Sequence, residues 1–301
     1  RRKMRRVRLN ASASRTRLSS IATPAEAANL NGQSDKSEGE MPTKQALEEY
    51  WKKIWSDDTP HNKGSPWIQQ EEERYREIPN MMPPAVSDKD IQLAVKDLAN
   101  WKAPGPDGIH NYWWKQLTAL HLRIAELTQE MINQPENIPK ELTKGITYLV
   151  AKNDKTDHPK NYRPITCLNT IYKIITKIIA TKVTAHLDEH NIITEEQKGC
   201  AAGTKGCKEQ LIIDKVITEQ ARVKKKNLAV AWIDYQKAFD SVPHSWLIKV
   251  LEIYKINPLV ISFLEKAMQS WKTKLHLTMK GETIVTNDIE IKRGIFQGDT
   301  W

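Results

Sequence analysis

The carboxylate of Asp234 stands at the end of an apolar run, residues 228–233, within the stretch NLAVAWIDYQKAFDSVPHSW. A charge placed where burial is expected is costly unless it is paired or does chemistry. Two chemistries use an aspartate at a strand end. A phosphate-accepting aspartate needs a second acid two positions on. Gln236 occupies that place, so this route lacks its general acid. The other is metal-assisted nucleotidyl transfer, in which carboxylates hold divalent ions that bridge nucleotide phosphates during in-line attack by a hydroxyl.

Phosphate chemistry also needs cations. Lys152, Lys155, Lys160 and Arg163 gather in GITYLVAKNDKTDHPKNYRPITCL. They read either as a solvated loop or as a triphosphate grip, for which Arg163, on a strand beside Pro164, offers a fork that can be held still. Other candidates fall away. His186 and His190 stand four apart without the order HExxH, and residues 195–211 lack the GxxxxGK[ST] order of a phosphate loop. Asp240 reads as a cap for the helix that follows it. The three cysteines, Cys167, Cys200 and Cys207, show neither CxxC spacing nor an even count, which argues against a zinc site or a disulfide framework and for a reducing compartment.

The elements that must position these residues follow from periodicity. Residues 46–56 carry Leu47, Tyr50, Trp51, Ile54 and Trp55 at helical spacing, and a second helix begins near Ser87 with a capping signature and buries Ile91, Val95 and Leu98. KAPGPDGI is a turn, and a helix is expected over 111–131. Two short runs, 146–151 and 162–167, flank the charged loop as a long-tipped hairpin. A core helix follows, with Ile171, Ile174, Ile175, Ile178, Ile179, Val183 and Leu187 on one face. The weak alternation over 228–233 predicts a strand buried on both faces, with Asp234 at its C-terminal end. Helices from about Ser245 and from Pro258, the latter capped by Asn257, precede a hairpin that ends in the Gly-flanked loop RGIFQGD.

Charge is uneven. The net charge is +9, yet Arg1, Arg2, Lys3, Arg5, Arg6, Arg8, Arg15 and Arg17 face no acidic residue before Glu26, so the excess lies in the tail. That tail reads as disordered, and as a nuclear-import or phosphate-binding arm or a solvated terminus. No apolar run approaches the ~20 residues of a membrane span, and no secretory signal follows the basic start.

In order, KAPGPDGI, NYRPI, DYQKAFD and RGIFQGD resemble the reverse transcriptases of non-long-terminal-repeat retrotransposons, over about residues 51–301. YWKKIW, HNKGSPW, EQKGC and WIDYQKAFDSVPHSW are most similar to the site-specific branch that also carries a restriction-like endonuclease. The resemblance implies an α+β right-hand polymerase: a basic tail over 1–44, a helical extension over 45–100, fingers over 101–227 and part of a palm over 228–301. It implies that Asp234 and the Tyr235 carbonyl hold Mg²⁺, or Mn²⁺. Arg163, with Lys152 or Lys160, would hold the triphosphate, Phe239 would bar a 2′-hydroxyl, and Gln297 and Gly298 would pack against nucleotide and template. Expected partners are an RNA template, a DNA target or primer and deoxynucleoside triphosphates, without a membrane, in the nucleus or a cytoplasmic ribonucleoprotein. Family members carry a paired-Asp hairpin after the Gln-Gly loop, and the chain stops at Trp301 before it. WSDD, at 55–58, lies on the wrong side of Asp234 to replace it. The resemblance thus implies a fragment inactive alone, or else a non-catalytic nucleic-acid-binding remnant.

Overall fold

The computed structural model describes residues 40–199 and 204–299. The basic tail and its Arg1, Arg2, Lys3, Arg5, Arg6 and Arg8 therefore lie outside the described residues. The described chain is α+β. Its sheet runs β2 (Tyr162–Leu168), β1 (Lys144–Ala151), β3 (Lys272–Met279), β4 (Glu282–Val285), with β5 (Ile289–Glu290) also on β3. β1 pairs antiparallel with β2 and parallel with β3. β2 is thus an edge strand, which is why it tolerates Pro164, a residue that cannot donate to a ladder.

Three threonine hydroxyls stitch the strands internally: Thr147 bonds Thr166 at 2.8 Å and Thr273 at 2.7 Å. Buried hydroxyls are cheap only when each finds such a partner. Helix α1 (Lys44–Trp55) starts at Thr43, whose hydroxyl accepts from the Ala46 amide, and buries Leu47, Trp51 and Trp55 at a spacing of four. These join Leu149, Tyr162, Tyr172, Trp271, Leu275 and Phe296 in one core. The Tyr162 hydroxyl donates to the Thr156 carbonyl at 2.7 Å, and burial pushes its pKa up to about 12.

A second core lies among helices. Helix α2 (Pro66–Arg74) precedes α3 (Asp88–Lys96), whose Ser87 and Asp90 form the expected capping box. The helix expected over 111–131 is broken: α4 (Asn111–Gln116) ends at Leu117, whose ψ of 56° leaves the helical region, and α5 (His121–Asn133) restarts after a short tighter turn. The ring of His121 bonds the Trp114 carbonyl at 2.7 Å, taking an acceptor a continuous helix would use. α6 (Thr170–Glu189) lays Ile175, Ile179 and Val183 against Val260, Phe263 and Ala267 of the later helix at 258–269. His186 is buried, and its Nε2 bonds the Tyr254 carbonyl at 3.0 Å.

After α7 (Cys207–Val223), which buries no residue, the chain departs from expectation. Residues 227–235 form no strand and are exposed, Trp232 by 73% and Ile233 by 80%. The apolar pattern reads as a buried strand, but no strand among the described residues pairs with it. Short helix α8 (Ala238–Ser241), α9 (His244–Ile253) and α10 (Pro258–Gln269) complete the fold, the last with Asn257 accepting from the Leu259 amide as its cap. Among the described residues no helix is long and apolar enough to cross a membrane.

Candidate nucleotide site

The β1–β2 hairpin sets the cations. Arg163 pairs with Val150 and points to the exposed side, while Tyr162 and Pro164 face inward, as strand alternation demands. Lys152 extends past β1, with its amide on the Asn161 carbonyl at 2.8 Å and its ammonium on the Lys160 carbonyl at 3.1 Å. Burial lowers the Lys152 pKa, and the charges of Lys237 and Arg163 push the same way, so three cations share one patch. Lys160 offers that patch its carbonyl, whereas its charge acts on Tyr50. Of the two lysines, Lys152 is the one coupled to Arg163.

The turn after Asp234 meets this patch. Lys237 takes the left-handed φ of 53° that opens α8, and its ammonium lies over the rings of Trp51 at 4.2 Å and Tyr50 at 4.7 Å. Cation–π contact offsets part of what the ammonium loses by leaving water. Burial lowers its pKa, and the Asp240 charge opposes that shift. Phe239 is 57% exposed and so is no core filler. Its carbonyl accepts from the Ile295 amide at 2.8 Å, which anchors the backbone while the ring stays free.

Asp240 is not a cap. Pro243 stands before α9 with no side-chain bond to its first turn. The Asp240 carboxylate is only 4% exposed; Oδ1 accepts from Trp55 Nε1 at 3.1 Å, and Oδ2 from Gln297 Nε2 at 3.4 Å. Burial raises its pKa, while the Trp55 bond and the charges of Lys237 and Lys152 oppose the rise. Sequence reading missed these roles of Asp240, Trp55 and Lys237. An Asp amid AFDSV carries no local sign of a donor 185 residues away.

The Gln-Gly loop closes the arrangement. The Gln297 carbonyl accepts from the Thr166 amide at 2.9 Å, three residues beyond Arg163. Gly298 sits at φ +130°, and a Cβ there would lie 2.5 Å from the Thr166 carbonyl oxygen. Only glycine allows that approach. Backbone bonds thus tie together the segments that carry these residues: the hairpin of Lys152 and Arg163 to the Gln297–Gly298 loop through Thr166, and that loop to Phe239 through Ile295. Asp234 and Tyr235 are not tied in: both are exposed in the unpaired segment. Asp234 would supply a single oxygen-donor side chain to a divalent ion, and among the described residues no group of three His, Cys, Asp or Glu could hold one. These residues do not by themselves fit a two-metal centre. A separate cleft of about 670 Å³, lined by His61, His244, Ile248, Met268 and Trp271, includes none of the predicted site residues.

Comparison with known proteins gives the arrangement a lineage. Residues 150–299 match the family described as reverse transcriptase (RNA-dependent DNA polymerase). The chain is 27% identical over 219 residues to the Retrovirus-related Pol polyprotein from type-1 retrotransposable element R2 of Popillia japonica, covering 71% of this chain and 28% of that protein. It is 22% identical over 263 residues to the corresponding polyprotein from type-2 retrotransposable element R2DM of Drosophila melanogaster, covering 87% of this chain and 23% of the relative. A third similarity, 29% over 168 residues, is to the probable RNA-directed DNA polymerase from transposon BS of Drosophila melanogaster, covering 55% of this chain and 18% of the relative. The chain spans between 18% and 28% of these relatives.

Proposed function

Because this chain carries the reverse transcriptase domain of a non-long-terminal-repeat retrotransposon, we propose that it forms the nucleotide-binding part of an RNA-directed DNA polymerase that copies an RNA template onto a DNA primer. Residues 101–227 act as fingers and residues 228–301 as part of a palm. The observation that carries this reading is that the hairpin of Lys152 and Arg163, the Gln297 loop and the turn of Phe239 are tied to one another by backbone bonds. Each has a distinct task. The Arg163 guanidinium, fixed on an edge strand, donates two parallel bonds to phosphate oxygens, and Lys152 adds a point charge. The exposed Phe239 ring is the group that would bar a sugar's 2′-hydroxyl. Gln297 and Gly298 present a side-chain amide and bare backbone to base and template.

Mg²⁺, which this family uses, neutralises phosphate charge when bound. Asp234, which lies outside the assembled residues, would offer it one carboxylate, with the carbonyl of Tyr235 next in sequence, and among the described residues no group of three His, Cys, Asp or Glu could hold an ion. A second reading, a nucleic-acid-binding piece without catalysis, rests on the exposed and unpaired position of Asp234. In both readings the basic tail adds sequence-independent attraction to RNA or DNA, weakened by salt, and suits a nuclear protein.

Equilibrium binding of dATP to the 301-residue chain separates the two. Nucleotide binding predicts that Arg163→Ala weakens dATP affinity about tenfold, the loss of one charge-assisted pair. A catalytically silent RNA binder predicts RNA affinity with no dATP affinity to lose.

A further inference from the structure

Helix α1 looks at first like core filling, because Leu47, Trp51 and Trp55 are all buried. Core filling explains the rings but not the polar contacts at the end of the helix. The Trp55 indole reaches the buried Asp240 carboxylate, 185 residues away. The Trp55 carbonyl accepts from the amides of Lys292 at 2.7 Å and Arg293 at 3.0 Å, on the segment that leads from β5 into the Gln-Gly loop. Arg293 in turn donates to Asp57 at 2.6 Å and to the Thr59 carbonyl at 2.8 Å, just past the same helix. Trp51 and Tyr50, one turn back, hold Lys237. One helix end therefore grips both segments that frame the nucleotide site.

The two segments also lock together. The Gly294 amide donates to the Val242 carbonyl at 2.8 Å, and a Cβ on Gly294 would lie 2.7 Å from the Asp240 backbone. A buried carboxylate is a costly way to fill this space, since leucine would pack there without any desolvation penalty. What leucine could not do is accept from two donors on different segments. Resting on the nucleotide-site reading above, we infer that Trp55 and Asp240 are positioning residues: the indole fixes the carboxylate, and the carboxylate aims the Gln297 amide while the same turn presents Phe239. Neither touches the nucleotide. Their effect falls on the base and sugar end, whereas the phosphates are held by Lys152 and Arg163 from the hairpin.

That division gives a test which fold damage cannot mimic. Affinities of the 301-residue chain for dATP and for inorganic tripolyphosphate are measured in Trp55→Phe, which keeps an aromatic ring, and in Asp240→Leu, which keeps the volume. The inference predicts that each variant weakens dATP binding about fivefold or more and leaves tripolyphosphate binding within about twofold. Arg163→Ala weakens both ligands and serves as the control for the site itself. If dATP binding stays within about twofold in both variants while Arg163→Ala loses it, the positioning role is wrong and the nucleotide site stands. Parallel loss of both ligands assigns Trp55 and Asp240 to the fold alone and also overturns the inference. No dATP binding by the unaltered chain, or none lost in Arg163→Ala, overturns the nucleotide site and the inference together.

Discussion

Two halves of one short motif behave in opposite ways. Residues 227–235, ending in Asp234 and Tyr235, are exposed and unpaired, while residues 237–244, only a few positions on, are bound from several sides. Their intrinsic patterns do not predict this difference, since the first half is the more apolar. Partners decide it. The second half has Trp55, Gly294, Ile295 and Gln297 within bonding distance, and the first has no strand among the described residues to pair with. A strand's stability comes from cross-strand pairs and a buried face, so an apolar run alone does not make one.

The largest effect is expected on removing the partner that binds the second half. Trp55→Ala opens a cavity in the core and strands the Asp240 carboxylate; unfolding by denaturant should show a loss of about 3–5 kcal/mol. A smaller loss, about 1–3 kcal/mol, is expected for Gly294→Ala, which puts a Cβ at φ +82° against the Asp240 backbone. Melting curves at matched pH would check both, and a Gly294→Ala protein as stable as the original would mean the two segments are not in contact.

Titration sharpens the same contrast. Burial raises the Asp240 pKa, so the folded state holds that proton more tightly than the unfolded chain does. Stability from this group is full below the ordinary carboxylate value of about 4 and is lost as pH rises through the raised folded value. The stability of the unaltered chain relative to Asp240→Asn should therefore fall across that window. A relative stability that grows with pH would mean the carboxylate is favoured in its charged form. Smallest of all is the expected effect in the first half: Trp232→Ser should change stability by less than about 0.5 kcal/mol, because the side chain already lies in water.

The helices were legible wherever one apolar face repeats, as over 44–55, 170–189 and 258–269, because periodicity alone predicts burial against a neighbour. The hairpin around Lys152 and Arg163 was legible for the same local reason, a turn-rich loop between two β-type runs. What failed was non-local. The break at Leu117 depends on where His121 finds an acceptor, and Asp240 looks like a cap until the far end of α1 is folded onto it. The strand expected over 228–233 failed from the other direction, with an apolar pattern but no strand among the described residues to pair with it. Motif order grouped Arg163, Phe239 and Gln297, but the links that bring them together, Thr166 to Gln297 and Phe239 to Ile295, run through backbone atoms that carry no residue signature.

Nucleotide binding at the bound half of the motif, against the β1–β2 hairpin, can be read by photo-crosslinking. An azido-substituted dATP is irradiated with the 301-residue chain, with and without excess dATP, and the labelled peptides are mapped. Competable label is expected on peptides containing Phe239 and residues 293–299. Label confined to the cleft lined by His61, His244 and Trp271, or label that excess dATP does not displace, would contradict binding at the motif.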